Sequence, residues 1–186
     1  MCRNFFGPEY ALLRPEFREN RLLSIERRQK GELKNILINF GGGDPDNYIA
    51  RILKSLLGVK LPQNAVISVI FGGMGEINDE HKLLILQFKN EVKVYKMVNN
   101  MAEFLVDTDL VIGAAGSSSW ERCCLGVPSI VFPLALNQIR IAEQLSNSGA
   151  VIALEKHDLD NHKFSTLLND LIQGDKLKKI SNKASN

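Results

Sequence analysis

The chain reads as an α/β protein built on a doubly wound parallel sheet, and three observations predict it. From Asn35 onward, six short runs rich in Ile, Val and Leu alternate with stretches of helical pattern, as successive βα units do when they build a parallel sheet covered on both faces. The turns after the first, second and fourth runs are made of small residues, and in doubly wound sheets ligands bind past the carboxyl ends of the strands. A length of 186 residues with 45% apolar and 24% charged side chains suits one globular domain with one core.

The elements follow in order. Residues 35–40 form the first strand, and Gly41, Gly42 and Gly43 turn the chain. Asp44 suits the N-cap and Pro45 the first helical position, so a helix follows to Leu57. Residues 65–71 are the second strand, ending in Gly72 and Gly73, and a helix covers 79–88. The third strand is 92–95, leaving through 96–100 into a helix over 101–106. The fourth runs from Leu110 to the small residues at 113–116, with a short helix after it that Gly126 closes. Residues 129–132 and 150–154 are the fifth and sixth strands, with helices over 136–145 and 162–172 and a polar, lysine-rich tail. Residues 14–30 interleave arginines with Glu16, Glu19 and Glu26, which reads as a solvated helix or linker. The domain is therefore expected over 32–186, with 1–31 as an N-terminal linker segment. Right-handed crossovers and the order 3-2-1-4-5-6 place strand one beside strand four.

That order sets Gly41–Asp44 across a crevice from Gly116, Ser117, Ser118 and Ser119, two small-residue turns each opening a helix. A helix N-terminus offers free N–H groups and a partial positive charge to a phosphate. The three serines add hydroxyl donors, and Gly42 and Gly43 permit close approach. Glu121, in the first helical turn, stands where a carboxylate can accept from a sugar hydroxyl beside that phosphate. Ribose phosphate is the ligand this pattern describes. The same residues also fit a capping box, Ser118 with Glu121.

Other classes are excluded. No P-loop motif exists, and the dinucleotide fingerprint fails because Asp46 and Asn78 stand where it needs small residues. No cofactor is expected. A net charge of +2 gives no electrostatic case for nucleic acid, and no apolar run approaches membrane-spanning length. Three cysteines without paired spacing argue against disulfides and fit a cytoplasmic protein, with Cys123 and Cys124 as small packing residues. His81, His157 and His162 lie among polar residues without ligand spacing and are expected at the surface, so no metal site is expected. Trp120 is expected to pack beneath its helix.

Three segments, residues 7–18, 38–44 and 113–126, together resemble the PseG family, the UDP-sugar hydrolases of bacterial pseudaminic acid synthesis. More distantly the architecture resembles the C-terminal half of GT-B glycosyltransferases such as MurG, a Rossmann-like domain. The resemblance implies that Glu121 binds the ribose hydroxyls and Ser117, Ser118 and Ser119 the diphosphate. It implies that the backbone of Met97 and Val98 pairs with uracil, and that Asn137 and Gln138 reach the sugar-phosphate end. The chain starts where that family's second half starts, so the N-terminal half with its catalytic histidine has no counterpart here, and no catalytic residue is expected in this chain. The expected ligand is a UDP-sugar, and a separate N-terminal half-domain chain is an expected partner. The leading expectation is the nucleotide-sugar domain of a hydrolase of surface-glycan synthesis. The alternative is the donor-binding domain or subunit of a GT-B glycosyltransferase.

Overall fold

A computed structural model describes residues 7–73, 75–160 and 162–186. Its strands are β1 (Asn35–Asn39), β2 (Val66–Ile70), β3 (Glu91–Tyr95), β4 (Leu110–Ala114), β5 (Ser129–Phe132) and β6 (Ile152–Ala153). They form one sheet in the order β3-β2-β1-β4-β5-β6, and every pairing is parallel. The helices are α1 (Pro15–Arg28), α2 (Tyr48–Leu56), α3 (Asp79–Ile85), α4 (Met101–Asp107), α5 (Ser118–Cys124), α6 (Leu136–Asn147), α7 (Lys163–Ile172) and α8 (Lys176–Ala184). No helix among the described residues is long and apolar enough to cross a membrane.

Side chains alternate along a strand, and the core divides accordingly. Ile36 and Ile38 of β1 join Ile67, Val69, Leu110, Ile112, Ile130 and Phe132 in one cluster, which buries the apolar faces of α2 and α7. Leu37, Ile70 and Val111 point the other way, onto Phe17 of α1 and Ala102 and Leu105 of α4. Val131 packs with Ala115, Ala142, Leu145 and Val151 in a third. Phe40, Tyr48 and Phe132 meet with ring centroids 5.1–6.2 Å apart, closing the core just under the β1 turn.

The helix expected from Pro45 begins instead at Tyr48, after a short 3-10 turn over Pro45–Asn47 in which Asp46 and Asn47 take positive φ, and two further segments differ from the sequence expectation. Residues 15–28 form a helix, one of the two expected forms, but it is fastened to the domain rather than solvated: Phe17 is fully buried, and Arg27 Nη1 meets Asp109 Oδ1 at 2.5 Å. Asp109 Oδ2 in turn accepts the amides of Lys34 and Asn35, both at 2.8 Å. The remainder of the expected 1–31 segment includes residues 1–6 and Cys2, which lie outside the described residues. The lysine-rich tail forms α8, whose Leu177, Ile180 and Ala184 are buried. Its lysines occupy the outer face while those three, at helical spacing, cover the core.

Candidate functional site

The carboxyl ends of the central strands finish level. Asn39 pairs with Ile70 and with Gly113, and Ala114 with Phe132, so the turns after β1, β2, β4 and β5 open along one edge. Glycines do two different jobs there. A Cβ on Gly113 would lie 2.1 Å from the Asn39 carbonyl oxygen, and one on Gly72, at φ +70°, would lie 1.9 Å from that of Gly41. These positions need glycine because backbone meets backbone. Beside them, Gly41, Gly42 and Gly43 have nothing within 4 Å of where a Cβ would stand, so that side of the β1 turn faces open space.

The β4–α5 turn differs from the capping box. Ser117 is the N-cap residue, already in helical conformation (φ −57°, ψ −29°), with no side-chain capping bond. A capping side chain reaches the first-turn amides from an extended N-cap backbone, and this one is not extended. Backbone bonds Ser119 N→Gly116 O (2.9 Å) and Trp120 N→Ser117 O (3.1 Å) shape the turn, leaving the Ser117 and Ser118 amides outside those bonds. Ser117 is exposed and Ser118 half-buried, but Ser119 is fully buried. The Ser119 hydroxyl accepts from Arg122 Nη2 at 2.8 Å, so its side chain supports the turn from below.

Glu121 is half-buried; its backbone carbonyl accepts the Leu125 amide at 3.2 Å, but its carboxylate takes part in none of the hydrogen bonds or ion pairs among the described residues. Burial pushes its carboxyl above the usual carboxylate range, while Arg14 and Arg122 pull it down and Glu16 pushes it up. Val98 packs in the same cluster as Leu13 and Phe17. The 97–98 loop and Glu121 thus adjoin the start of α1, which the sequence reading had set outside the domain. Arg14 itself forms an ion pair with Glu16 at 3.1 Å and lies over the Phe17 ring. Met97 stands exposed. Its loop leaves from the rim of a cavity of about 260 Å³ at the ends of β2 and β3, walled by Phe71, Ile77, Tyr95 and Lys96 among others.

Gln138 is brought to the β4 turn. Its Nε2 would lie 3.6 Å from a Cβ on Gly116, and its Oε1 accepts the Leu134 amide at 3.0 Å. Asn137 is exposed on the first turn of α6.

His81 corrects the expectation of a surface histidine, whereas His157 and His162 are exposed as expected. His81 is buried and closes a reciprocal cap on α3: its Nδ1 accepts the Asn78 amide at 3.2 Å, and Asn78 Oδ1 accepts the His81 amide at 3.0 Å. Its ring meets Phe71 edge-on at 5.0 Å, and its Nε2 is buried without a partner. Burial pushes its pKa down, against the pull of Asp44 and Glu80. The sequence signal for this was Asn78 three residues before His81, a spacing that fits a reciprocal cap. Asp44 is committed as well, Oδ1 accepting from Tyr48 N (2.7 Å) and Oδ2 from Ile49 N (3.1 Å). No group of His, Cys, Asp or Glu among the described residues is arranged to hold a metal ion. Cys123 and Cys124 are free, partly buried thiols; Trp120 and Cys123 pack against one core cluster and Cys124 against another.

A six-stranded parallel sheet in this order, with small-residue turns along its carboxyl edge, defines a doubly wound, Rossmann-like domain. The chain belongs to the family described as the glycosyltransferase family 28 C-terminal domain, whose model matches residues 37–186. The crystal structure of Acinetobacter baumannii MurG is similar with a TM-score of 0.70 and 20% identity, over 96% of this chain and 50% of that one. That of the spinosyn rhamnosyltransferase SpnG complexed with thymidine diphosphate is similar with a TM-score of 0.57 and 22% identity, over 83% and 41%. The fold is therefore the C-terminal half of GT-B. In sequence the chain is 28% identical over 152 residues to the spore coat polysaccharide biosynthesis protein SpsG of Bacillus subtilis, over 82% of this chain and 44% of that protein. It is 30% identical over 152 residues to the UDP-N-acetylglucosamine–N-acetylmuramyl-(pentapeptide) pyrophosphoryl-undecaprenol N-acetylglucosamine transferase of Clostridioides difficile, over 75% and 35%. The chain spans less than half the length of the curated relatives it matches.

These matches correct the resemblance to the pseudaminic acid hydrolases. The family model and the transferase relative both point to glycosyltransferases, and the MurG likeness shows the matching fold. Two of the segments behind the hydrolase resemblance, 38–44 and 113–126, hold the turns that follow β1 and β4, and the third, 7–18, leads into α1. Nothing in these matches supports hydrolysis or pseudaminic acid synthesis; they support the glycosyltransferase alternative.

Proposed function

We propose that this chain is the donor-binding C-terminal domain of a GT-B glycosyltransferase and holds the nucleotide of a UDP-sugar. One observation carries the proposal. In a family 28 domain, a half-buried Glu121 carboxylate without a protein partner stands one helical turn from the exposed Ser117 end of the β4 turn. Burying part of a carboxylate costs free energy unless something bonds to it, and a ribose diol supplies two donors.

In this reading Glu121 accepts from the ribose hydroxyls, and Ser117 and Ser118 donate to the diphosphate. Gly42 and Gly43 leave room for the phosphate-sugar end opposite, with Asn137 and Gln138 on its far side. The Met97–Val98 backbone meets the uracil edge. In transfer, an acceptor hydroxyl attacks the anomeric carbon, the bond from that carbon to the phosphate oxygen breaks, and UDP leaves. This domain's part is to bind the leaving diphosphate and to stabilise its charge as it develops. The Asp44 carboxylate accepts the first amides of α2 and His81 is engaged in the α3 cap, so we assign the base that takes the acceptor's proton to an N-terminal half, in the same polypeptide or a separate chain. We place the protein in the cytoplasm, where unpaired cysteines stay reduced.

Calorimetry with UDP, ADP and GDP tests the proposal. UDP is expected to bind best, with Kd from about ten micromolar to about a millimolar, since half of the cleft is on the other domain. Absence of UDP binding would overturn the donor-site reading, and equal binding of all three would remove the uracil role of Met97 and Val98.

A further inference from the structure

Arg122 sits directly behind the serine turn and has no anionic partner among the described residues. It is buried, with 3% of its surface exposed. Its Nη2 donates to the Ala114 carbonyl and to Ser119 Oγ, both at 2.8 Å. Its Nε is buried without a hydrogen bond, and its Nη1 would lie 3.5 Å from a Cβ on Gly113, at the end of β4. The titratable groups that act on it are its chain neighbours Glu121 and Cys123, and neither forms an ion pair with it. Burial pulls its pKa down to about 10, so it stays charged at neutral pH. A buried guanidinium satisfied only by a carbonyl and a hydroxyl is costly in the free protein. An apolar side chain of similar volume would fill the space beneath the turn without that cost. The position of the charge is informative: the neutral groups that hold it, Ala114 O and Ser119 Oγ, are the two ends of the turn that faces the crevice.

We infer that Arg122 is a positioning charge for the donor's diphosphate, fixing the turn between Ala114 and Ser119 and supplying through it the positive potential that the bound diphosphate neutralises. This inference rests on the donor-site reading above and adds to it a residue that never touches the ligand. Through the thickness of one turn, a unit charge at the effective dielectric of protein interiors changes diphosphate affinity by roughly tenfold to a hundredfold. It leaves the affinity of an uncharged nucleoside unchanged.

The test compares UDP with uridine on the 186-residue chain, read by calorimetry and by the fluorescence of Trp120, the single tryptophan. Wild type should prefer UDP. In Arg122→Gln most of that preference should vanish while uridine binding persists, and Arg122→Lys should keep it near neutral pH. The lysine variant provides a second reading that needs no charge deletion to fold. A buried lysine has a depressed pKa whereas arginine stays charged. The UDP-to-uridine ratio of Arg122→Lys should therefore fall between about pH 7.5 and about pH 10 while that of wild type changes little. An unchanged ratio in Arg122→Gln, or in Arg122→Lys across that range, overturns the inference and leaves the donor site standing. A wild type with no preference for UDP over uridine overturns both.

Discussion

A Cβ placed on Gly72 would stand 1.9 Å from the carbonyl oxygen of Gly41, so the turns that end β1 and β2 are packed backbone against backbone. Gly72→Ala must push them apart and also hold an L side chain at φ +70°. We expect a loss of about 2 kcal/mol or more, measured by urea unfolding, with Gly42→Ala, which meets open space, close to wild type. Equal stability of the two variants would show that the turns can separate freely.

Glu121→Gln is expected to weaken UDP binding by about 1–3 kcal/mol through loss of a charged acceptor, with little change in Tm, because Glu121 makes no capping bond. Its pH dependence follows from burial, which raises the carboxyl pKa in the folded protein. As pH falls through that raised value Glu121 takes up its proton, so UDP affinity should drop at a pH above the ordinary glutamate value of about 4.3. The stability linked to this group is present at low pH and lost as pH rises through the folded pKa. Glu121→Gln should remove that slope, and calorimetry and thermal unfolding across pH would both register it.

His81 gives a slope of opposite sign. Its pKa is lowered by burial, so the unfolded chain binds the proton more readily, and stability is present above the ordinary histidine value of about 6.5 and lost as pH falls through the lower folded value. Protonation also places a hydrogen on Nδ1, which accepts the Asn78 amide, and so opens the α3 cap. Thermal melts of His81→Gln should be flatter than wild type over this window. Parallel curves would assign the acid sensitivity elsewhere.

Phe17 tests whether α1 is part of the domain. It is fully buried between α1, α4 and the sheet, and Phe17→Ala should cost about 3–5 kcal/mol. A linker residue would cost nothing measurable in the same denaturation experiment.

The sheet was legible because its signals are local. Each apolar run from Asn35 to Leu154 ends in a turn, and right-handed crossovers order the strands once the alternation is known; the observed order matches it. The turns at Gly41 and Gly116 were legible for the same reason, since small residues after a strand mark the carboxyl edge. The family assignment was less legible: the turn motifs are imposed by the fold, and the choice between hydrolase and transferase needed the match over residues 37–186.

Sequence by itself determined the α/β class, the strand order and which turns share an edge, because periodicity and turn chemistry are properties of neighbouring residues. Tertiary structure alone decided what Ser119, His81 and Arg122 do. Ser119 and Ser117 are the same residue type two positions apart, yet one is buried on Arg122 and the other exposed. His81 lies among polar neighbours and is buried because Phe71, from another strand end, covers it. Residues 15–28 read as solvated because their charges dominate the pattern, yet Phe17 finds Leu37, Ile70 and Val111, and Arg27 finds Asp109 82 residues away. Burial is set by what arrives from distant parts of the chain, and no local pattern records that arrival.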